Sequence, residues 1–112
     1  MKNIYELQAD LCKIFSNAKR LEILELLKVK ERSSNNLMEE TGLSRVSLFQ
    51  HLNVLKGKGV VATRREGGVL YYHIADPKII QACNLMREVL LEQLNEKGKM
   101  VSVLKKKIKR GV

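Results

Sequence analysis

Aromatic residues are scarce in this chain: three tyrosines, two phenylalanines and no tryptophan among 112 residues. With 29% of residues charged, so few large side chains imply a modest core, much solvated helix and apolar area left for a second copy of the chain to cover. Cysteine is limited to Cys12 and Cys83, too few for a disulfide framework and too far apart for a CxxC motif. No apolar run approaches the ~20 residues that span a bilayer. The N-terminal MKNIYELQADL carries acids where a secretion signal would be basic and then apolar. A cytoplasmic location with no membrane partner is expected. No Ser-His-Asp set, phosphate-binding glycine loop or clustered acid pair is evident, so neither catalysis nor a cofactor is expected.

What is present is an apolar fraction of 45%, enough for one small domain. The net charge of +9 is unevenly spread: seven of the 21 basic side chains lie from Lys97 onward with no acid among them. Residues 1–96 then hold 14 basic against 12 acidic side chains, a net of +2. Residues 1–96 are read as one folded domain and residues 97–112 as a basic tail. That tail either frays in solvent or helps at phosphates.

Ile4, Leu7, Leu11, Ile14 and Phe15 recur at helical spacing and predict an amphipathic helix over 3–15, with Ser16 and Asn17 as break and cap. A second helix is predicted from Ala18 to Val29 on a Leu21, Leu24, Leu27 stripe with Ile23 alongside, closed by the polar KERSSNN segment. A short third helix over 36–41 ends at Gly42, which suits a left-handed terminal residue, and Ser44 can cap the next helix. Thr41-Gly42-Leu43-Ser44 thus reads as the tight turn of a helix-turn-helix.

The helix expected over 45–56 puts Leu48, Leu52 and Leu55 on one face and Val46, Ser47, Gln50 and Asn53 on the other, with Phe49 and His51 on the flanks. A merely solvated helix would show Glu and Lys there. Ser, Gln and Asn are poorer helix formers that can donate to and accept from base edges, and Arg45 in the first turn can reach a guanine or a phosphate. The period then changes. VVATRR and VLYYHI, separated by Glu66-Gly67-Gly68, read as a hairpin wing whose Arg64, Arg65 and glycine tip would lie against phosphates or a minor groove. Tyr71 and Tyr72 point to opposite faces.

Asp76-Pro77 starts a last helix that runs to about Lys97, with proline where its missing N–H costs nothing. Ile79, Cys83, Met86, Leu90 and Leu94 form its stripe, and Leu85 and Val89 widen it beyond what one small domain covers. Pairing the first and last helices with their copies would space two reading helices about 34 Å apart. The expected fold is mainly α (α+β): a winged helix-turn-helix of five helices and a two-stranded β-hairpin wing, dimerising through its first and last helices.

That order, with CKIFSNAKRLEILELL, LSRVSLFQHLNVLKGKGVV, TRREGGVLYYHIAD and PKIIQAC, resembles the ArsR/SmtB-type winged-helix repressors over roughly residues 5 to 94. The resemblance implies a homodimeric repressor that binds an inverted-repeat operator in double-stranded DNA and is released by an inducer. Carried over by position, it assigns Ser44, Arg45, Ser47, Gln50, His51, Arg64, Arg65, Gly67 and Gly68 to DNA. Two departures stand out: Ala18 where the family often has proline, and Phe49 where it usually has a small polar residue.

Metal sensors of such a family carry Cys-x-Cys on the third helix, or Asp and His with His and Glu on the last helix. Here Leu37-Met38-Glu39-Glu40 has no thiol, the last helix has no histidine, and Glu88, Glu92 and Glu96 alone make a poor zinc site. No metal is expected, and His51 and His73 read as helix-flank and wing residues. The thiols remain. Cys83 is explained as a small hydrophobe, whereas Cys12 lies about 110° from the centre of its helix's apolar face. Arg87 and Lys13 would favour thiolate, and similar repressors include sensors of persulfide, oxidants and trivalent arsenic. A Cys12 and Cys83 dithiol switch answering a small thiol-reactive inducer is therefore weighed against two structural cysteines. The competing function classes are a winged-helix module for protein or RNA contacts and, on no positive sign, an enzyme.

Overall fold

The computed structural model describes residues 1–97; the expected tail, apart from Lys97, lies outside the described residues. The chain divides between Pro77 and Lys78 into two compact units.

The first unit opens with α1 (Ile4–Lys13), started by a reciprocal capping box. Asn3 Oδ1 accepts from the Glu6 N–H at 2.9 Å while the Glu6 carboxylate accepts from the Asn3 N–H at 3.3 Å. The helix stops short of the expected residue 15 because the chain tightens into three-residue turns. Ile14, Phe15 and Ser16 donate to the carbonyls of Leu11, Cys12 and Lys13. That tightening buries Ile14, whereas Ile4, Leu7 and Leu11 stay exposed.

Asn17 caps α2 (Ala18–Val29) by accepting from the Arg20 N–H at 3.1 Å. Its buried face is Ile23, Leu24, Leu26 and Leu27. The predicted stripe was rotated: Leu21 lies about 140° from the centre of that face and is 37% exposed. KERSSNN is not merely a polar connection. Arg32–Ser33 forms a two-residue strand, β1, and Ser33 caps α3 (Ser34–Thr41), which therefore begins two residues before the expected Asn36. Arg32 donates through Nε to the Leu26 carbonyl at 3.0 Å and through Nη1 to Asn36 Oδ1 at 2.7 Å, satisfying the end of α2 and holding α3.

Gly42 ends α3 with φ 73° and donates its N–H to the Met38 carbonyl, and Ser44 starts α4 (Arg45–Gly57) by accepting from the Ser47 N–H at 3.2 Å. The turn is therefore built as its residues predict. Lys19 of α2 donates to the Thr41 carbonyl at 2.8 Å, fixing the turn from outside. Leu48, Leu52 and Leu55 are fully buried with Ile23, Leu37, Val60 and Val61.

Strands β2 (Val61–Glu66) and β3 (Val69–Ile74) pair antiparallel, with Glu66 opposite Val69. The turn is then only Gly67-Gly68, both at positive φ, the backbone of a type I′ hairpin. The sheet has three strands in the order β1-β3-β2, one more than the expected hairpin. Ser33 sits opposite Tyr71 and Arg32 opposite Tyr72. Tyr72 is buried and Tyr71 half-buried, so the two tyrosines do point to opposite faces.

α5 (Pro77–Glu96) begins at the last residue of the first unit and, with Lys97, makes up the described part of the second; none of its residues is buried. Cys83, expected inside, is half-buried. Met86 is 73% and Leu90 50% exposed, with Leu85 and Val89 exposed beside them.

Candidate nucleic-acid interface

With its leucines in the core, α4 turns a continuous stripe outward: Val46, Gln50 and Asn53, all exposed. Ser47 is half-buried on one flank. Arg45 and Phe49 share the other, the guanidinium lying 5.9 Å from the ring centroid, so Phe49 packs under Arg45. Ser44 is exposed, its oxygen already used as the cap. The outward stripe carries no formal charge, which leaves its donors and acceptors available to read a pattern rather than merely to attract phosphate.

His51 is half-buried and tied back to α2: Arg20 Nε donates to His51 Nδ1 at 3.2 Å, and Arg20 Nη1 donates to the Ile14 carbonyl at 3.3 Å. Burial, reinforced by the Arg20 charge, holds the imidazole below its ordinary value of 6.5. Nδ1 accepts, so Nε2 carries the proton and presents one neutral donor. The folded state thus disfavours a proton that the unfolded chain binds near 6.5. This contribution to stability is complete above that pH and declines as pH falls below it. Urea midpoints measured from pH 7.5 to 5.5 should fall more steeply for the native chain than for His51→Asn, which keeps an acceptor for Arg20 without titrating. Parallel slopes would contradict this account.

In the wing, Arg64 and Arg65 part ways. The Arg64 Nε–H is 2.8 Å from both Glu31 carboxylate oxygens and its Nη1 is 2.6 Å from Glu66, and the guanidinium lies 5.0 Å from the Tyr71 ring centroid. Its hydrogen bonds to the two acids raise its pKa further above the arginine range, and Arg64 in turn holds Glu31 below the usual carboxylate range. His73 Nδ1 is 3.5 Å from the same Glu31 carboxylate. Arg64 is therefore engaged by its own chain, a pairing across 33 residues that β1 creates and that no local pattern reveals. Arg65, on the opposite face of β2, is exposed and makes one long hydrogen bond, 3.4 Å, to the Gly68 carbonyl at the tip. Arg20 and Glu31, which hold His51 and Arg64, were not foreseen from the sequence, whereas Val46 and Asn53 were placed on the outer face with Gln50 but not among the residues assigned to DNA.

Cys12 and Cys83 are both thiols, the first exposed. No group of three His, Cys, Asp or Glu able to hold a metal occurs among the described residues, and no described helix is long and apolar enough to cross a membrane.

A tight αL turn into a polar, outward-facing helix, followed by a three-stranded wing, defines a winged helix-turn-helix DNA-binding regulator. The profile of "Bacterial regulatory protein, arsR family" matches residues 17–63. An uncharacterized HTH-type transcriptional regulator of Mycobacterium tuberculosis, Rv0081, is 38% identical over 95 residues, covering 84% of this chain and 83% of that protein. Its crystal structure superposes with a TM-score of 0.80 at 37% identity, over 87% of this chain and 98% of that one. The solution structure of the homodimeric winged helix-turn-helix domain of Mb0332 from Mycobacterium bovis gives 0.76 at 32% identity, over 83% and 86%. The transcriptional repressor BigR of Xylella fastidiosa gives 0.67 at 29%, over 80% and 88%. The chain belongs to the ArsR family of DNA-binding transcriptional regulators, whose members here are named as regulators and not as enzymes.

Proposed function

We propose that this chain is a homodimeric, sequence-specific transcriptional repressor acting in the cytoplasm, which inserts α4 into successive major grooves of an inverted-repeat operator and lays its wing on the flanking backbone. The observation that carries the reading is the uncharged outer stripe of α4, centred on Gln50, in a chain otherwise rich in Lys and Glu. Ser44, Arg45 and Ser47 border that stripe, His51 lies farther round the helix toward α2, and Arg65 with Gly67 and Gly68 forms the wing tip. In support of dimerisation, α1 and α5 each expose apolar residues that a second copy would cover, and Mb0332 is described as homodimeric.

The test is binding to a palindromic duplex selected from a random pool, against a scrambled duplex, across salt concentration. A preference of at least about a thousandfold is expected. Arg65→Ala should lower the slope of log K against log salt by about one. Arg64→Ala should lower it less, because two carboxylates already neutralise that guanidinium. Equal affinity for both duplexes would favour the protein- or RNA-interaction reading.

For release we propose that the thiols of Cys12 and Cys83 react with a thiol-reactive inducer; with a polysulfide, a thiolate attacks one sulfur of an S–S bond, a new S–S bond forms on the cysteine, and the shortened polysulfide or hydrosulfide leaves with the electron pair of the broken bond. Cys12 is exposed on a helix with no buried residue, so core packing does not account for it. The Cys12→Ser, Cys83→Ser double variant should bind the operator normally and ignore the polysulfide. Unchanged release would reject the switch.

A further inference from the structure

We propose that Val46 is a specificity-determining residue that reads the 5-methyl group of a thymine in each operator half-site. The inference rests on the reading that α4 enters the major groove. Val46 is 69% exposed and lies in the first turn of α4, aligned with Gln50 one turn on and Asn53 one turn further. Three ordinary explanations for a valine there fail. The core face is already filled by Leu48, Leu52 and Leu55, all fully buried. Intrinsic preference does not select it, because a β-branched side chain is a poorer helix former than the Lys, Glu or Ala an exposed site normally takes. Solubility argues against it outright.

Ligand chemistry supplies the missing reason. The major-groove edges of the four base pairs offer hydrogen-bond donors and acceptors, and thymine alone adds an apolar group, its 5-methyl. A short, branched, rigid aliphatic side chain at the N-terminal end of a groove-entering helix matches that group in size and polarity. Gln50 beside it suits the paired acceptor and donor of an adenine. Of the other apolar residues on the outer half of the helix, Phe49 is half-buried with Arg45 lying over its ring, and Val54, 38% exposed, lies two turns further on, away from the N-terminal end that such helices present to base edges. Val46 is the residue turned toward a ligand.

The experiment is a double cycle of protein and DNA changes. A duplex is first selected from a random pool with the native dimer. Each thymine of the selected site is then replaced by deoxyuridine, which deletes only the methyl group. For the native protein, one such replacement in a single half-site should weaken binding about fourfold, the worth of one buried methyl. Replacing both should weaken it about fifteenfold. Val46→Ala, which favours helix and leaves the core untouched, should bind the thymine site more weakly and lose the discrimination between thymine and uracil at that position. Retention of the same discrimination by Val46→Ala, or no thymine sensitivity in the native protein, overturns the assignment while leaving the groove reading intact. If no preferred duplex emerges at all, the groove reading fails and Val46 falls with it.

Discussion

A Leu90→Glu substitution is expected to leave the chain monomeric at micromolar concentration, where the native chain forms the proposed dimer, and to lower operator affinity at least a hundredfold. Leu90 is half exposed in the single chain, next to Met86 at 73%, on a helix with no buried residue. A carboxylate there is solvated while the chain is alone, so the protomer has no reason to misfold. In a dimer that covers the α5 stripe the same carboxylate enters an apolar contact without a partner, at a cost of several kcal/mol. The loss at the operator follows from linkage: two half-sites joined in one dimer bind with an effective concentration that separate protomers lack. Sedimentation equilibrium and titration of the selected duplex measure both effects, and an unchanged circular dichroism spectrum checks the fold. A variant that stays dimeric would show that this face of α5 is not where copies meet.

Leu52→Ala is expected to destabilise the chain by about 2–5 kcal/mol, the range for emptying a well-packed leucine site. Leu52 is fully buried, as are Leu48 and Leu55 on the same helical face. Against a total stability of about 5–15 kcal/mol, this is enough to unfold a sizeable fraction near the melting temperature. The same leucines aim Val46, Gln50 and Asn53 outward, so operator affinity should fall even where the variant is folded. Leu21→Ala, at a residue 37% exposed, serves as the comparison and should cost less than about 1 kcal/mol. Urea midpoints at one fixed protein concentration give both values. A loss at Leu52 no larger than that at Leu21 would mean that α4 is not anchored as described.

Much of the fold was legible because single residues had no other use. Gly42 at positive φ followed by Ser44 as a cap spells the turn between α3 and α4, and the paired glycines at 67 and 68 specify a two-residue hairpin. Leu48, Leu52 and Leu55 share one helical face, and all three are buried. The misreadings have equally local causes. In α2 apolar residues occupy positions on more than one face, so counting leucines every third residue selected Leu21 over Leu26. Strand β1 has two residues, too few to show alternation, and its polar side chains cap helices instead of facing solvent. The engagement of Arg64 was hidden for the same reason, since Glu31 approaches the wing only once β1 has paired with β3.

That small strand also ties together the elements packed around α4. Arg32 pairs opposite Tyr72 through its backbone while its side chain grips the end of α2 and Asn36 of α3, and Lys19 clasps the last carbonyl of α3. Hairpin, α2 and α3 are thereby geared together, and α4 follows across a turn with no slack residue. If α4 reads an operator as proposed, a displacement of α2 would carry that helix with it, releasing DNA as a rigid-body shift and not by local unfolding.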